Sequence, residues 1–245
     1  MINWKVFFAE FIGTFALLFI GAGAGVSGAG LVGVALAHGL TLMVFAYAFG
    51  YISGTHVNPA VTWAFVWNGT LKWSEAAVYW IAQFIGAISA AGALHLFTGD
   101  VSGGATVGSL TDSMPILAMV VEAVLTFFLV NTILHTAVGG KGGSMAGLAI
   151  GMTLTAAILA GGTLTGASLN PARTLGTAVY AAPSLGNVYT YVIYLFGPLI
   201  GSTVALLAYR FFTDADEEPT TSEADAATKA PRKAVSRRAS VKSKK

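Results

Sequence analysis

Few side chains in this sequence are equipped for chemistry, and most of them stand inside long apolar stretches. Glu10, His38, His56, Glu122 and Arg173 are the ionisable groups of most interest, and the tripeptide Asn-Pro-Ala occurs twice, as Asn58-Pro59-Ala60 and Asn170-Pro171-Ala172, 112 residues apart. These residues form no convergent set of nucleophile, base and metal ligands. With no cysteine, thiolate chemistry and disulfides are excluded. What the set can do is build a path. Asn is a favoured N-cap, and Pro fits the first helical turn because its missing N–H has no helical partner there. Each tripeptide therefore predicts a helix start. The turns before each Asn offer outward carbonyls, and the positive helix ends point at the same depth. That combination suits a water-lined pore with a barrier to cations.

The elements that must position these groups follow from composition. Apolar residues make up 55% of the 245 residues, charged residues only 10%, and mean hydropathy is +0.72, values foreign to a water-soluble domain of this length. A spanning helix needs roughly 20 mostly apolar residues. Six stretches qualify, at 6–25, 32–52, 76–97, 115–137, 145–162 and 188–211. The first leads through Gly21-Ala22-Gly23-Ala24-Gly25 directly into the second and reads as an uncleaved span. Gly23 to Gly28 also fits the G-x-G-x-x-G dinucleotide pattern, but it follows a membrane helix where that motif requires a strand. Lys5, Lys72, Lys141 and Arg210 fall on one side of this topology, whereas the opposite loops carry Asp100 and Asp112 and no Lys or Arg. By the positive-inside rule both termini are expected in the cytoplasm.

The two halves of the chain repeat. A shift of 112 residues places Glu10 on Glu122, Ala37 to Thr41 on Ala149 to Thr153, and Ser53 to Asn58 on Thr165 to Asn170. After a three-residue insertion, Gln83 to Gly86 falls on Pro198 to Gly201. Each unit holds three spans, an odd number, so the second must enter the bilayer from the opposite face, as an inverted repeat. The runs behind the two tripeptides, Val61 to Trp67 and Arg173 to Tyr180, are too short to cross. They read as re-entrant half-helices, whose irregular backbone survives at that depth only when buried in protein or lining a watery cavity. The expected fold is thus an all-α membrane protein of six transmembrane helices plus two re-entrant half-helices. Residues 1–212 form the channel domain, with repeats at about 5–97 and 115–212.

The chain resembles the aquaporins of the major intrinsic protein family, over residues 5 to 212. The resemblance rests on Ser53-Gly54-Thr55-His56-Val57-Asn58-Pro59-Ala60-Val61-Thr62, on Thr165-Gly166-Ala167-Ser168-Leu169-Asn170-Pro171-Ala172-Arg173, and on the paired Glu10 and Glu122. It implies a pore in every subunit, a homotetramer, and no cofactor or chemical step. It also implies that Arg173 forms the narrow outer filter, donating to water while repelling cations. The alternative of a lipid-facing arginine carries a cost of about 2.5 to 3.5 kcal/mol at the bilayer centre. By similarity the remaining filter positions fall on His38, Ile158 and Ala167. That set is most similar to the tonoplast intrinsic proteins of plants, a branch associated with water and often ammonia. A helix-packing role for His38 is the alternative.

Two departures bear on the solute. The ammonia-conducting plant proteins carry a histidine in the third connecting loop, whereas Val101 to Thr106 has none. Glycerol facilitators typically carry Asp after the filter arginine, where this chain has Thr174, and Ala178 also matches the water-type pattern. The symmetry of Glu10 and Glu122 argues for a structural role; as in the family, each is expected to accept from backbone N–H groups of its re-entrant loop. A proton relay is the rival reading. His56 is expected to line the cytoplasmic vestibule, with plain loop packing as the alternative.

The function these residues predict is a passive water channel, not an enzyme, acting in the plasma membrane on water and small neutral solutes, with no nucleic-acid partner. A glycerol facilitator is the second reading, and an ion-coupled secondary transporter the third, since coupling would call for several carboxylates at the substrate site. From Thr213 the composition turns polar, with Asp214 to Asp225 acidic and eight basic residues between Lys229 and Lys245. This tail is expected to be disordered and cytoplasmic, and Arg237-Arg238-Ala239-Ser240 resembles a basophilic kinase site.

Overall fold

The computed structural model describes residues 2–214, and these are helical with no strand. The expectations for the tail beyond residue 214, including Ser240, lie outside the described residues. Helix α1 (Trp4–Val26) starts on Asn3, whose Oδ1 accepts from the Lys5 and Val6 backbones at 3.2 and 3.4 Å. There follow α2 (Gly30–Ser53), α3 (Pro59–Trp67), α4 (Trp73–Thr98) and α5 (Pro115–Ile133), the last continuing through a π-turn at Leu134–Val138. Then come α6 (Ala146–Thr165), α7 (Pro171–Ala178) and the short α8 (Val188–Tyr191), which runs through a second π-turn (Val192–Phe196) into α9 (Gly197–Asp214). Among the described residues, six helical segments are long and apolar enough to cross a membrane, and their bounds match the expected spans to within a few residues. The half-helices α3 and α7 are too short to do so.

The packing is that of a membrane protein. Large apolar side chains such as Leu40, Val44, Ile81, Ile85 and Phe128 point outward, while Ala22, Ala35, Ala82, Ala87, Ala90, Ala118 and Ala205 are fully buried. In lipid, outward apolar surface carries no penalty, and small residues inside let helix backbones approach closely. Glycine marks the tightest crossings in pairs related by the repeat. A Cβ on Gly86 would meet the Phe11 carbonyl oxygen, and one on Gly201 that of Ala123. Gly39 and Gly151 face each other where α2 packs on α6, each against the other's carbonyl oxygen.

Local sequence decides where the long helices stop before the half-helices. α2 and α6 end on Gly54 and Gly166, both at φ +82° and related by the 112-residue shift. The chain then stays in the left-handed region at Thr55 and Val57, and again at Ala167 and Leu169. For a β-branched residue such a φ is a true outlier, and each costs on the order of 1–3 kcal/mol unless its surroundings enforce it. The enforcing groups are part of the site. Half-helix α7 ends at Ala178, two residues short of the expected Tyr180, whose ring stacks on His95 of α4 with centroids 5.2 Å apart.

Candidate functional site: a pore between two half-helices

Asn58 and Asn170 do two jobs each. Asn58 Oδ1 accepts from the Ala60 backbone at 2.9 Å, and Asn170 Oδ1 from Ala172 and Arg173 at 3.0 and 3.2 Å, so both cap their half-helices. Their Nδ2 groups cross over. Asn58 donates to the Leu169 carbonyl and Asn170 to the Val57 carbonyl, both at 2.8 Å. The half-helix N-termini thus meet end to end, and their positive poles focus on one depth of the bundle. Pro59 and Pro171 occupy the first helical position, and Ala60 and Ala172 behind them are fully buried.

The strained turns are held by carboxylates from α1 and α5. Glu10, fully buried, accepts from the His56 and Val57 backbones at 2.9 and 2.7 Å, from Ser53 Oγ at 2.6 Å and from Gln83 Nε2 at 2.8 Å. Glu122 repeats the pattern with Ser168 and Leu169 backbones at 2.9 and 2.8 Å and Thr165 Oγ1 at 2.7 Å. The carbonyls that end α2 and α6 are tied as well. Tyr79 donates to Ser53 and Tyr194 to Thr165, each at 2.7 Å. Sequence reasoning missed both tyrosines. The signal was there, since the offset that follows the three-residue insertion places Tyr79 on Tyr194. It also missed Gln83, which bridges Glu10 and Thr62, and the chain Thr106, Thr174, Ser168, through which the α4–α5 loop reaches the Asn170 carbonyl.

These elements enclose a cavity of about 400 Å³ lined by residues of both halves, among them His38, His56, Asn58, Asn170 and Arg173. Arg173 is the sole Lys, Arg, Asp or Glu in that lining. It is 5% exposed, and its Nη1 is buried without a protein partner. His38 Nδ1 lies 2.9 Å from the Val34 carbonyl, which can only accept, so the neutral ring keeps its proton there and leaves Nε2 an acceptor. That Nε2 is likewise buried and unpartnered. His56 lines the cavity while its Nδ1 meets Thr62 Oγ1 at 3.1 Å, and its ring packs on Phe65 and Tyr79. Ile158 and Ala167 are buried, at 3% and 2% exposure, and do not belong to the lining of this cavity. The repeat supplies mirror positions: Ile150 for His38, Ala46 for Ile158, Thr55 for Ala167 and Val61 for Arg173. All four mirror residues line the cavity, and none is charged.

Two capped half-helices meeting inside a six-span bundle, around a polar-edged cavity, define a membrane channel. The family model described as major intrinsic protein matches residues 1–209, and the chain belongs to that family, the aquaporins and their relatives. Among curated relatives, the glycerol uptake facilitator protein-like 6 of Lactiplantibacillus plantarum is 40% identical over 218 residues, 86% of this chain and 100% of that protein. Aquaporin TIP1-2 of Zea mays is 40% identical over 222 residues, 84% of each chain. Among solved structures, the aquaglyceroporin from Plasmodium falciparum matches with a TM-score of 0.72 at 26% identity, covering 84% of this chain and 95% of that one.

Proposed function

We propose that the protein is a passive water channel that refuses protons and cations. The observation that carries the reading is the pair of half-helix N-termini, locked by Asn58 and Asn170, facing a cavity in which Arg173 is the one permanent charge. A cation entering there meets two positive helix ends and a guanidinium without bulk water to screen them. A water file entering the same space meets donors at its midpoint. Each Asn amide has a second N–H beyond the one spent on the opposite carbonyl, so both can donate to a passing oxygen. A proton wire would need neighbouring waters oriented alike, and donors at the centre oppose that. On this reading His38 and Arg173, which line the cavity, form the selective constriction together with Ile158 and Ala167, which the family resemblance adds although they lie outside that lining; His56 belongs to the wider mouth, and residues 1–212 are the channel domain. On the same reading the protein works as a homotetramer in the plasma membrane; the placement of Lys5, Lys72, Lys141 and Arg210 on one side supports cytoplasmic termini.

Stopped-flow shrinkage of proteoliposomes tests this. The expected result is fast, low-activation water flow without proton leak; permeability equal to empty vesicles, with folded protein present, sinks the reading. Glycerol conduction is the second reading. The Lactiplantibacillus relative is named for glycerol uptake, and the cavity carries an apolar flank of Leu17, Leu42, Leu129 and Leu154 suited to a carbon backbone. The same vesicles challenged with glycerol and with ammonia separate these solutes from water.

A further inference from the structure

Gly21 lies in the interior of α1, where a glycine costs about 1 kcal/mol relative to alanine in an ordinary helix. Its neighbour explains the choice. A Cβ built on Gly21 would stand 2.5 Å from His38 Cδ2, 2.5 Å from Nε2 and 2.6 Å from Cε1. Three ring atoms at nearly equal distance mean that the imidazole presents its face to the bare Cα of Gly21. We propose that Gly21 is a specificity-determining residue of the channel, acting through His38: the missing side chain is the recess that lets the ring lie back against α1, and so sets the width of the constriction.

Three observations support this. The ring cannot simply slide along its own helix, because Nδ1 is tied to the Val34 carbonyl at 2.9 Å. On the other flank the adjacent Gly39 is closed by Gly151 and Thr155 of α6, so α2 has no room to retreat there. The second copy of the repeat supplies a comparison: the counterparts of Gly21 and His38 are Ile133 and Ile150, so the position on α5 is filled where its partner on α6 has no ring. A methyl at position 21 would therefore push the ring away from α1, toward the cavity that His38 shares with Arg173. Gly23, two residues on, is a contrast, since a Cβ there meets only Leu94 Cδ2, at 3.3 Å.

The inference rests on the reading of His38 as a constriction residue, and the test separates the two. Unit permeability, per folded channel in proteoliposomes, is measured for wild type, Gly21→Ala, His38→Ala and the double variant, using whichever of water and glycerol the wild type passes faster. Gly21→Ala should lower it by about fivefold in the presence of His38 and leave it unchanged in the His38→Ala background. An equal loss in both backgrounds, or no loss in either, overturns the role of Gly21. If His38→Ala leaves permeability and the water-to-glycerol ratio at wild-type values, the constriction reading itself falls and takes the inference with it, as does a wild type that passes neither solute. Should Gly21→Ala fail to fold, a folded double variant shows that the ring and the methyl exclude each other. A double variant that also fails assigns Gly21 to helix packing and overturns the proposal.

Discussion

Asn58 and Asn170 each donate to the carbonyl that immediately precedes the other, at 2.8 Å in both directions. Each side chain therefore fixes its own helix start and the opposite turn at once. Asn170 also accepts from two backbone N–H groups where Asn58 accepts from one. Replacing either by Ala removes a cap worth about 1 kcal/mol and leaves a buried carbonyl unpaired at about 1–3 kcal/mol. Asn170→Ala is expected to lower the melting temperature in detergent more than Asn58→Ala; the reverse order would show that the second N–H adds nothing.

Glu10→Gln should be more damaging than its similar size suggests. Both carboxylate oxygens accept, from four donors in all, and a Gln amide nitrogen would point N–H at N–H on one side. With buried unmatched donors costing about 1–3 kcal/mol each, Glu10→Gln is expected to reduce folded yield sharply. Glu122→Gln, with three donors at its oxygens, should follow it. Yield and thermal stability are measured by fluorescence-detected chromatography, and wild-type behaviour of both variants would contradict the account of how the left-handed turns are held.

Tyr79→Phe and Tyr194→Phe isolate single hydroxyls. Each should cost about 1 kcal/mol through the carbonyl it satisfies at the end of α2 or α6. Tyr194 should cost more, since its hydroxyl also meets Thr111 at 3.1 Å. Equal melting temperatures for the two variants would count against that second contact.

Arg173→Val places at this position the residue that its mirror, Val61, already carries. Water flow is expected to persist or rise, while proton and cation leak appear, read by a pH-sensitive dye trapped in the vesicles. A tight Arg173→Val channel would transfer the whole barrier to the half-helix ends.

Much of this was legible because membrane insertion imposes strong local constraints. Six runs of apolar residues, two Asn-Pro starts and the 112-residue echo each write themselves into a short window of sequence. Other features leave no such window. Tyr79 and Tyr194 act on carbonyls 26 and 29 residues away. The loop after α4 is rich in Gly, Ser and Thr, yet Val101 and Thr106 are fully buried, Gly104 presses on Ala22, and Thr106 and Val107 close against Gly166. Its burial depends on glycines that remove side chains from the contact, a signal of absence that a hydrophobic pattern does not register. The two π-turns likewise insert a residue without any change in composition.

The mirror positions Ile150, Ala46, Thr55 and Val61, all in the cavity lining, bear on throughput. Selective constrictions in series add their resistances, so two equal filters would pass roughly half the flow of one while discriminating little better between solutes already screened. A duplicated chain begins with every device in two copies. In this one the scaffold stays doubled, in Glu10 and Glu122, Tyr79 and Tyr194, Asn58 and Asn170, while on the proposed reading the charged narrow station, Arg173 with His38, has only Val61 and Ile150 as its counterparts. Rigidity has been retained twice and resistance once.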